Sequence, residues 1–283
     1  MDSPKTFVIV GLGLLGGSLG GALKRAFPRS SVIGVSRSSQ KIRLAKKKKL
    51  ITSGTTNLAK AVSSSNFIFI CTPVDTISRL ILQIDQFAKK GTIVTDVGST
   101  KEELIRWVEK QKFKHIRFVG SHPMAGSHLT GIEHATQNLY QSSFAFVTTH
   151  AGINKKALKL TVQIWKKLCD RAVVLDAKTH DQITAEISHL PHLVAALLVS
   201  SVSSKSLPFA STGFRDTTRV AQGDPRLWVP IFTSNRKNLN KLLGQLIASA
   251  RQTRRFLQKP NHQRFLYQFL NQAAQKRRKT DLK

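Results

Sequence analysis

Cysteine is scarce in this chain: of 283 residues only Cys71 and Cys169 are thiols. Two isolated thiols exclude a disulfide framework and offer no metal-ligand spacing, so no metal is expected and a reducing compartment, the cytoplasm, is the default. No long apolar run is present either, which argues against a membrane span, and the first apolar stretch is too closely tied to a glycine turn to read as a signal peptide. Acid is the third shortage. Fifteen Asp and Glu face 45 Lys and Arg, a formal charge of +30. The basic residues are spread along the chain, with runs only at 46–49 and 276–279. Neither run is interleaved with aromatics, and no zinc, helix-turn-helix or RNA-binding signature accompanies them. A solvated basic surface that attracts anionic substrates is therefore expected, rather than specific nucleic-acid binding. There is no internal repeat and no low-complexity linker.

What the chain has is a strand that runs straight into a glycine turn. Phe7-Val8-Ile9-Val10 is followed by Gly11-Leu12-Gly13-Leu14-Leu15-Gly16 and then by an apolar, glycine-rich helix. The first glycine permits the tight turn, the second lets backbone N–H groups approach a pyrophosphate, and the third lets helix and strand pack closely. The free N–H groups and dipole of the helix start then favour phosphate. This is a dinucleotide site.

A carboxylate is missing where the ribose hydroxyls of NAD would need one, at the end of the next strand, Ser31 to Val35. Ser36-Arg37-Ser38 stands there instead. Guanidinium binds phosphate in a bidentate fork and serine adds donors, so the turn favours NADP, with NAD as the alternative.

Short β-rich runs at 8–11, 32–35, 67–71, 93–96 and 117–120 alternate with helical stretches at 17–25, 41–49, 74–87 and 101–110. The fold class is α/β, an N-terminal Rossmann-type doubly wound parallel sheet. Two further strands, 143–149 and 172–175, flank a helix at 155–167. Beyond Asp176 only helical periods remain, at 179–204, 228–257 and 262–276. The expected division is a dinucleotide-binding domain over 1–176 and an all-helical substrate and dimerisation domain over 177–283.

Ligands in such sheets bind outside the carboxyl ends of the strands. Those ends carry Cys71-Thr72-Pro73, whose extended X-Pro geometry leads the chain past the cofactor, then Asp96-Val97-Gly98-Ser99-Thr100-Lys101, then Gly120-Ser121-His122-Pro123-Met124-Ala125-Gly126-Ser127. A serine, a lysine and a histidine thus fall on loops expected to converge on the nicotinamide.

The glycine turn and these last two segments together resemble the prephenate/arogenate dehydrogenase family of tyrosine biosynthesis. The helical half is similar in order and spacing, through His180-Asp181, Ser188-His189-Leu190-Pro191-His192, Gly213 to Ala221 and Asp224-Pro225-Arg226-Leu227-Trp228. The resemblance covers nearly the whole chain.

It implies an NAD(P)-dependent oxidoreductase that converts prephenate to 4-hydroxyphenylpyruvate with loss of CO2. A neutral histidine has a suitable proton affinity to accept the ring hydroxyl's proton, which falls to His122. Ser99 would bind the same hydroxyl or orient His122. Arg219 would fork onto a substrate carboxylate. His192 would contact substrate, His189 would orient it or pack, and Ser127 would lie at the site. Asp216 would steer Arg219, because a carboxylate repels an anionic substrate. Trp228 would close the pocket wall, and His180 would have a structural hydrogen-bonding role.

Arogenate carries an ammonium where prephenate has a keto group, and some relatives place an acid just after the glycine. Here none precedes Glu133, which favours prephenate over arogenate. Any tyrosine feedback would act at the active site, there being no length for a fused mutase or regulatory domain. The apolar stretch 193–202 suits the interlocked helices of a homodimer. Two other readings remain: a β-hydroxyacid dehydrogenase, which would want a catalytic lysine where His189 to His192 stand, and a basic polyanion-binding module that keeps only the fold.

Overall fold

Strand β1 (Thr6–Val10) lies at the centre of a six-stranded sheet with β2 (Ser31–Val35), β3 (Ser53–Thr55), β4 (Phe67–Ile70), β5 (Thr92–Asp96) and β6 (Ile116–Val119). This computed structural model describes residues 4–126 and 129–280. The order is β3-β2-β1-β4-β5-β6 and every pairing is parallel. Strand order reverses between β1 and β4, so the crevice beyond their carboxyl ends is the natural ligand site of a doubly wound sheet.

Alternation along β1 builds the two faces. Phe7 and Ile9 enter one apolar layer with Leu19 and Leu23 of α1 (Leu14–Ala26). Val8 and Val10 enter the other with Ile77, Ile81 and Ile84 of α4 (Ile77–Phe87). The helices α2 (Ser39–Lys47), α3 (Leu58–Val62) and α5 (Glu102–Val108) complete the winding. Both β3 and α3 escape a sequence reading. Ser-Gly-Thr at a sheet edge has no apolar period, and α3 is only five residues long.

A second, three-stranded sheet joins β7 (Ser121–Pro123), β8 (Phe144–Thr149) and β9 (Arg171–Asp176), with α6 (Lys155–Leu168) between the last two. β7 pairs antiparallel with β8, His122 opposite Phe146. This corrects one expectation: His122 sits on a strand and not on a loop, because pairing with β8 satisfies a backbone whose sequence reads only as a turn.

The chain continues as α7 (Ala177–Thr184), a π-turn over Ala185–His189 and α8 (Leu190–Ser201). Pro191 enters α8 within its first two positions and brings no N–H, so the helix passes through by widening just before it. By length and composition alone this run is long and apolar enough to cross a membrane. Short helical pieces follow, among them α9 (Thr212–Thr218), then α10 (Pro225–Ser234). The helix expected over 228–257 is interrupted at Asn235, and α11 (Arg236–Leu257) begins after it.

By contact the chain divides into two compact units, one up to Arg236 and the other from Lys237 onward. The second holds α11 and α12 (His262–Arg278), with Phe256 stacked on Phe265 at 3.9 Å.

Candidate active site

At the end of β1, Gly11 has φ +103°, and a Cβ there would lie 2.7 Å from the Cys71 carbonyl oxygen. A Cβ on Gly16 would sit 1.9 Å from the Gly11 carbonyl oxygen, whereas one on Gly13 would meet nothing within 4 Å. The first and third glycines are thus demanded by the protein itself, and the second faces open space where a pyrophosphate would approach. Gly13 caps α1 without any side-chain acceptor, so the first N–H groups of the helix stay available. Leu12 is buried while Leu14 and Leu15 are partly so, and the Tyr140 hydroxyl donates to the Leu15 carbonyl at 2.9 Å. These features suit a dinucleotide.

The glycine turn opens on a cleft of about 790 Å³ that Cys71, Thr72 and Pro73 line on its β4 side. The cleft is cationic: Arg37, Lys41 and Arg79 line it, and among the described residues no carboxylate does. The Ser36 hydroxyl accepts from the Ser38 N–H at 3.2 Å, and the Ser38 hydroxyl caps α2 by accepting from the Lys41 N–H at 3.3 Å. Each hydroxyl uses its oxygen and keeps its proton to give to an anion. Lys41 and Arg79 were not singled out from sequence, since each sits on an exposed face of its own helix.

Four buried histidines gather outside this cleft. His122 Nδ1 lies 2.9 Å from His180 Nε2, and His180 Nδ1 lies 2.7 Å from Asp181 Oδ1. The Asp181 carboxylate also accepts the backbone N–H groups of Lys101 at 2.8 Å and Glu102 at 2.9 Å. Ser99, by contrast, is half-buried and makes no hydrogen bond among the described residues. His180, not Ser99, therefore holds His122. Burial pushes His122 well below the ordinary histidine value, helped by His180, Lys101 and His189. Burial does the same to His180, with Lys101 adding to it.

The loop that carries Ser99 is stapled from beneath. Lys101 Nζ, fully buried, donates to Asp96 Oδ2 at 2.6 Å, to the Gly98 carbonyl at 2.7 Å and to the Thr100 carbonyl at 3.0 Å. Asp96 Oδ1 accepts the Ser121 N–H at 3.1 Å, one residue before His122. The Ser121 hydroxyl donates to the Asp96 carbonyl and accepts from the Trp165 indole.

His189 and His192 come from the π-turn and from α8. Asn235 Nδ2 lies 3.0 Å from His189 Nδ1, and His189 Nε2 and His192 Nδ1 are sealed from solvent without a partner among the described residues. Burial lowers His189 to about 4, with Asp181 opposing, and also lowers His192. Trp228 stacks on His192 with ring centres 3.6 Å apart, and a Cβ on Gly223 would strike both rings. Arg219 and Asp216 are exposed and form no ion pair with each other. Asp216 thus does not steer Arg219 here; it lies on α9, whereas Arg219 opens the next short turn. Ser127 lies outside the described residues.

Sequence reasoning missed Asn235, hidden inside an apparently continuous helical period; it gave His180 a structural hydrogen-bonding role without naming His122 as its partner. The adjacency of His180 and Asp181 was its one available signal.

Comparison with known proteins matches two family models. Residues 19–174 match the nucleotide-binding domain of prephenate dehydrogenase and residues 176–272 its dimerization domain. Among curated relatives, the prephenate dehydrogenase of Lactococcus lactis subsp. cremoris is 34% identical over 82% of this chain, and that of Bacillus subtilis 32% over 83%. The chain spans 65% of the length of each. A solved structure of prephenate dehydrogenase from Aquifex aeolicus, in complex with hydroxyphenyl propionate and NAD+, superposes with a TM-score of 0.89 at 29% identity, covering 99% of both chains. Synechocystis arogenate dehydrogenase gives 0.78 at 29% identity, over 95% of this chain and 99% of that one. With a buried, neutral histidine at the carboxyl end of a dinucleotide-binding sheet, and both family domains in succession, the chain belongs to the prephenate dehydrogenase family.

Proposed function

We propose that the protein oxidises and decarboxylates prephenate to 4-hydroxyphenylpyruvate. The observation that carries this reading is His122, buried and, among the described residues, held through one ring nitrogen. The other nitrogen accepts the proton of the ring hydroxyl as the carbon beneath it is oxidised. When bound, the oxidised nicotinamide supplies the hydride acceptor. Loss of the ring carboxylate as CO2 then returns an electron pair to the oxygen, and His122 gives the proton back to form the phenol. No net proton is released.

Arg219, exposed and without an ion pair among the described residues, would fork onto a substrate carboxylate. His189 and His192, whose buried ring nitrogens have no partner among the described residues, would contribute donors to the same anion once the site admits it. Ser99 would support the hydroxyl, Trp228 would form the wall behind His192, and Asp216 would serve substrate from the rim. The absence of acid between Met124 and Thr130 supports prephenate over arogenate, whose ammonium wants a carboxylate.

The cofactor we propose is NADP in preference to NAD, on the strength of the cationic cleft, which no carboxylate among the described residues lines. The domain division proposed is 1–176 and 177–283. A cytoplasmic homodimer follows from two free thiols and from α8, whose Leu197 is half exposed in the single chain. No membrane or nucleic-acid partner is proposed.

The test is steady-state turnover of prephenate and of arogenate, each with NAD and NADP. We expect prephenate with NADP to be the best pairing, and His122→Asn to lose turnover by on the order of a hundredfold or more with little change in dinucleotide affinity. No turnover in any pairing would overturn the assignment.

A further inference from the structure

We infer that His180 is a positioning residue that fixes the tautomer of His122, leaving His122 Nε2 as the bare nitrogen that takes the substrate proton. The inference rests on the prephenate reading for its meaning in catalysis, and on hydrogen-bond logic for its substance.

The logic starts at Asp181. Burial raises the Asp181 carboxyl, opposed by the backbone N–H groups of Glu102 and Lys101 and by the Lys101 cation; once ionised it can only accept, and it already takes those two N–H groups on its two oxygens. The His180 nitrogen 2.7 Å from Asp181 Oδ1 must therefore carry a proton. A neutral imidazole has one N–H, so His180 Nε2 is an acceptor. His180 is wholly buried and stands near the Lys101 cation, both of which hold it neutral. The His122 nitrogen 2.9 Å from His180 Nε2 must then donate, which assigns the His122 proton to Nδ1.

The opposite tautomer would set two lone pairs against each other in a buried site, which disfavours it. Turning the His180 ring over would break its bonds to Asp181 and His122 together. Phe146, edge-on to His180 with centres 5.2 Å apart, resists that rotation. Among the described residues the sealed, partnerless side-chain atoms are His189 Nε2 and His192 Nδ1, and His122 Nε2 is not one of them. It is thus the ring nitrogen of His122 that the solvent reaches, consistent with the 7% of that residue left exposed. The arrangement directs one lone pair outward and keeps it there without any negative charge on His122 itself.

Nitrogen-15 NMR of the full chain labelled in the histidine rings tests the inference without any turnover. His122 resonances are identified by their loss in His122→Asn. The bare nitrogen of His122 is expected to couple to both ring carbon-bound protons, the signature of Nε2; a bare Nδ1 would overturn the proposal. The kinetic arm compares His180→Phe, which fills the space but cannot accept, with His180→Gln, whose amide oxygen can accept near the Nε2 position. We expect His180→Phe to lower kcat by on the order of a hundredfold with the dinucleotide KM unchanged, and His180→Gln to recover most of it. Equal losses in both variants would overturn the positioning role. Absence of turnover in the unmodified protein would sink the functional reading alone, since the NMR result stands apart from it.

Discussion

Asn235 decides which nitrogen of His189 carries the proton. Its amide Nδ2 donates to the Asp181 carbonyl at 2.8 Å, which fixes the orientation of the amide, and the same NH2 group donates to His189 Nδ1 at 3.0 Å. His189 Nδ1 is therefore an acceptor and Nε2 an N–H donor, sealed and unpartnered among the described residues. A buried N–H without an acceptor is costly to leave so, and an incoming carboxylate would relieve it.

The first prediction concerns that donor. His189→Ala should raise the KM for prephenate by roughly tenfold to a hundredfold, the equivalent of about 1.5–3 kcal/mol for a hydrogen bond to a charged group. Asn235→Asp should weaken substrate binding in the same direction, because a carboxylate facing Nδ1 draws the proton there and strips it from Nε2. Steady-state kinetics check both; an unchanged KM with lower kcat would show that His189 does not touch the anion.

The second follows from the buried histidines. His122 is active when neutral and its proton affinity is lowered well below 6.5, so kcat/KM should stay level as pH falls through 6.5 and decline only further down. Stability follows the same sign. A group lowered on folding contributes fully above its unfolded value, and that contribution is lost as pH falls toward the folded one. For His189, a fall from 6.5 to about 4 corresponds to about 3 kcal/mol. Urea unfolding between pH 7 and 4 should show stability draining away across this window.

The third concerns the pair beneath Ser99. Lys101 and Asp96 are both wholly buried and in contact at 2.6 Å. Lys101→Met leaves the Asp96 carboxylate without its cation and the Gly98 and Thr100 carbonyls without a donor. It should destabilise the protein by about 3–5 kcal/mol in chemical denaturation. If the chain survives, the loop that carries Ser99 should also lose protection from hydrogen exchange.

The sequence carried the sheet because β1, β4 and β5 are apolar runs bounded by turns, and it carried His122 because the residues around it form a linear motif. It did not carry β3, β7 or Asn235. Three-residue strands owe their existence to a neighbour's ladder rather than to their own period, and Asn235 acts on His189 and Asp181, 46 and 54 positions away. Ser99 and Asp216 show the converse limit. Convergence of loops made Ser99, and proximity in a motif made Asp216, a candidate orienter, whereas the side chain hydrogen-bonded to His122 is His180, 58 positions on.

The last prediction separates the cofactors. Arg37, Lys41 and Arg79 line the cleft, and among the described residues no acid lining it competes for them. A 2′-phosphate would engage them, whereas a 2′-hydroxyl would engage none. Arg37→Ala and Arg79→Ala should each weaken NADP binding by roughly tenfold to a hundredfold, about 1.5–3 kcal/mol per charged hydrogen bond lost, and leave NAD affinity nearly unchanged. Fluorescence titration of both dinucleotides measures this directly. The NADP dissociation constant should also rise with salt more steeply than that of NAD, because exposed cations are screened within about 8–10 Å near physiological ionic strength. Equal losses for the two dinucleotides would assign these residues to the shared pyrophosphate or adenine and remove the basis for an NADP preference.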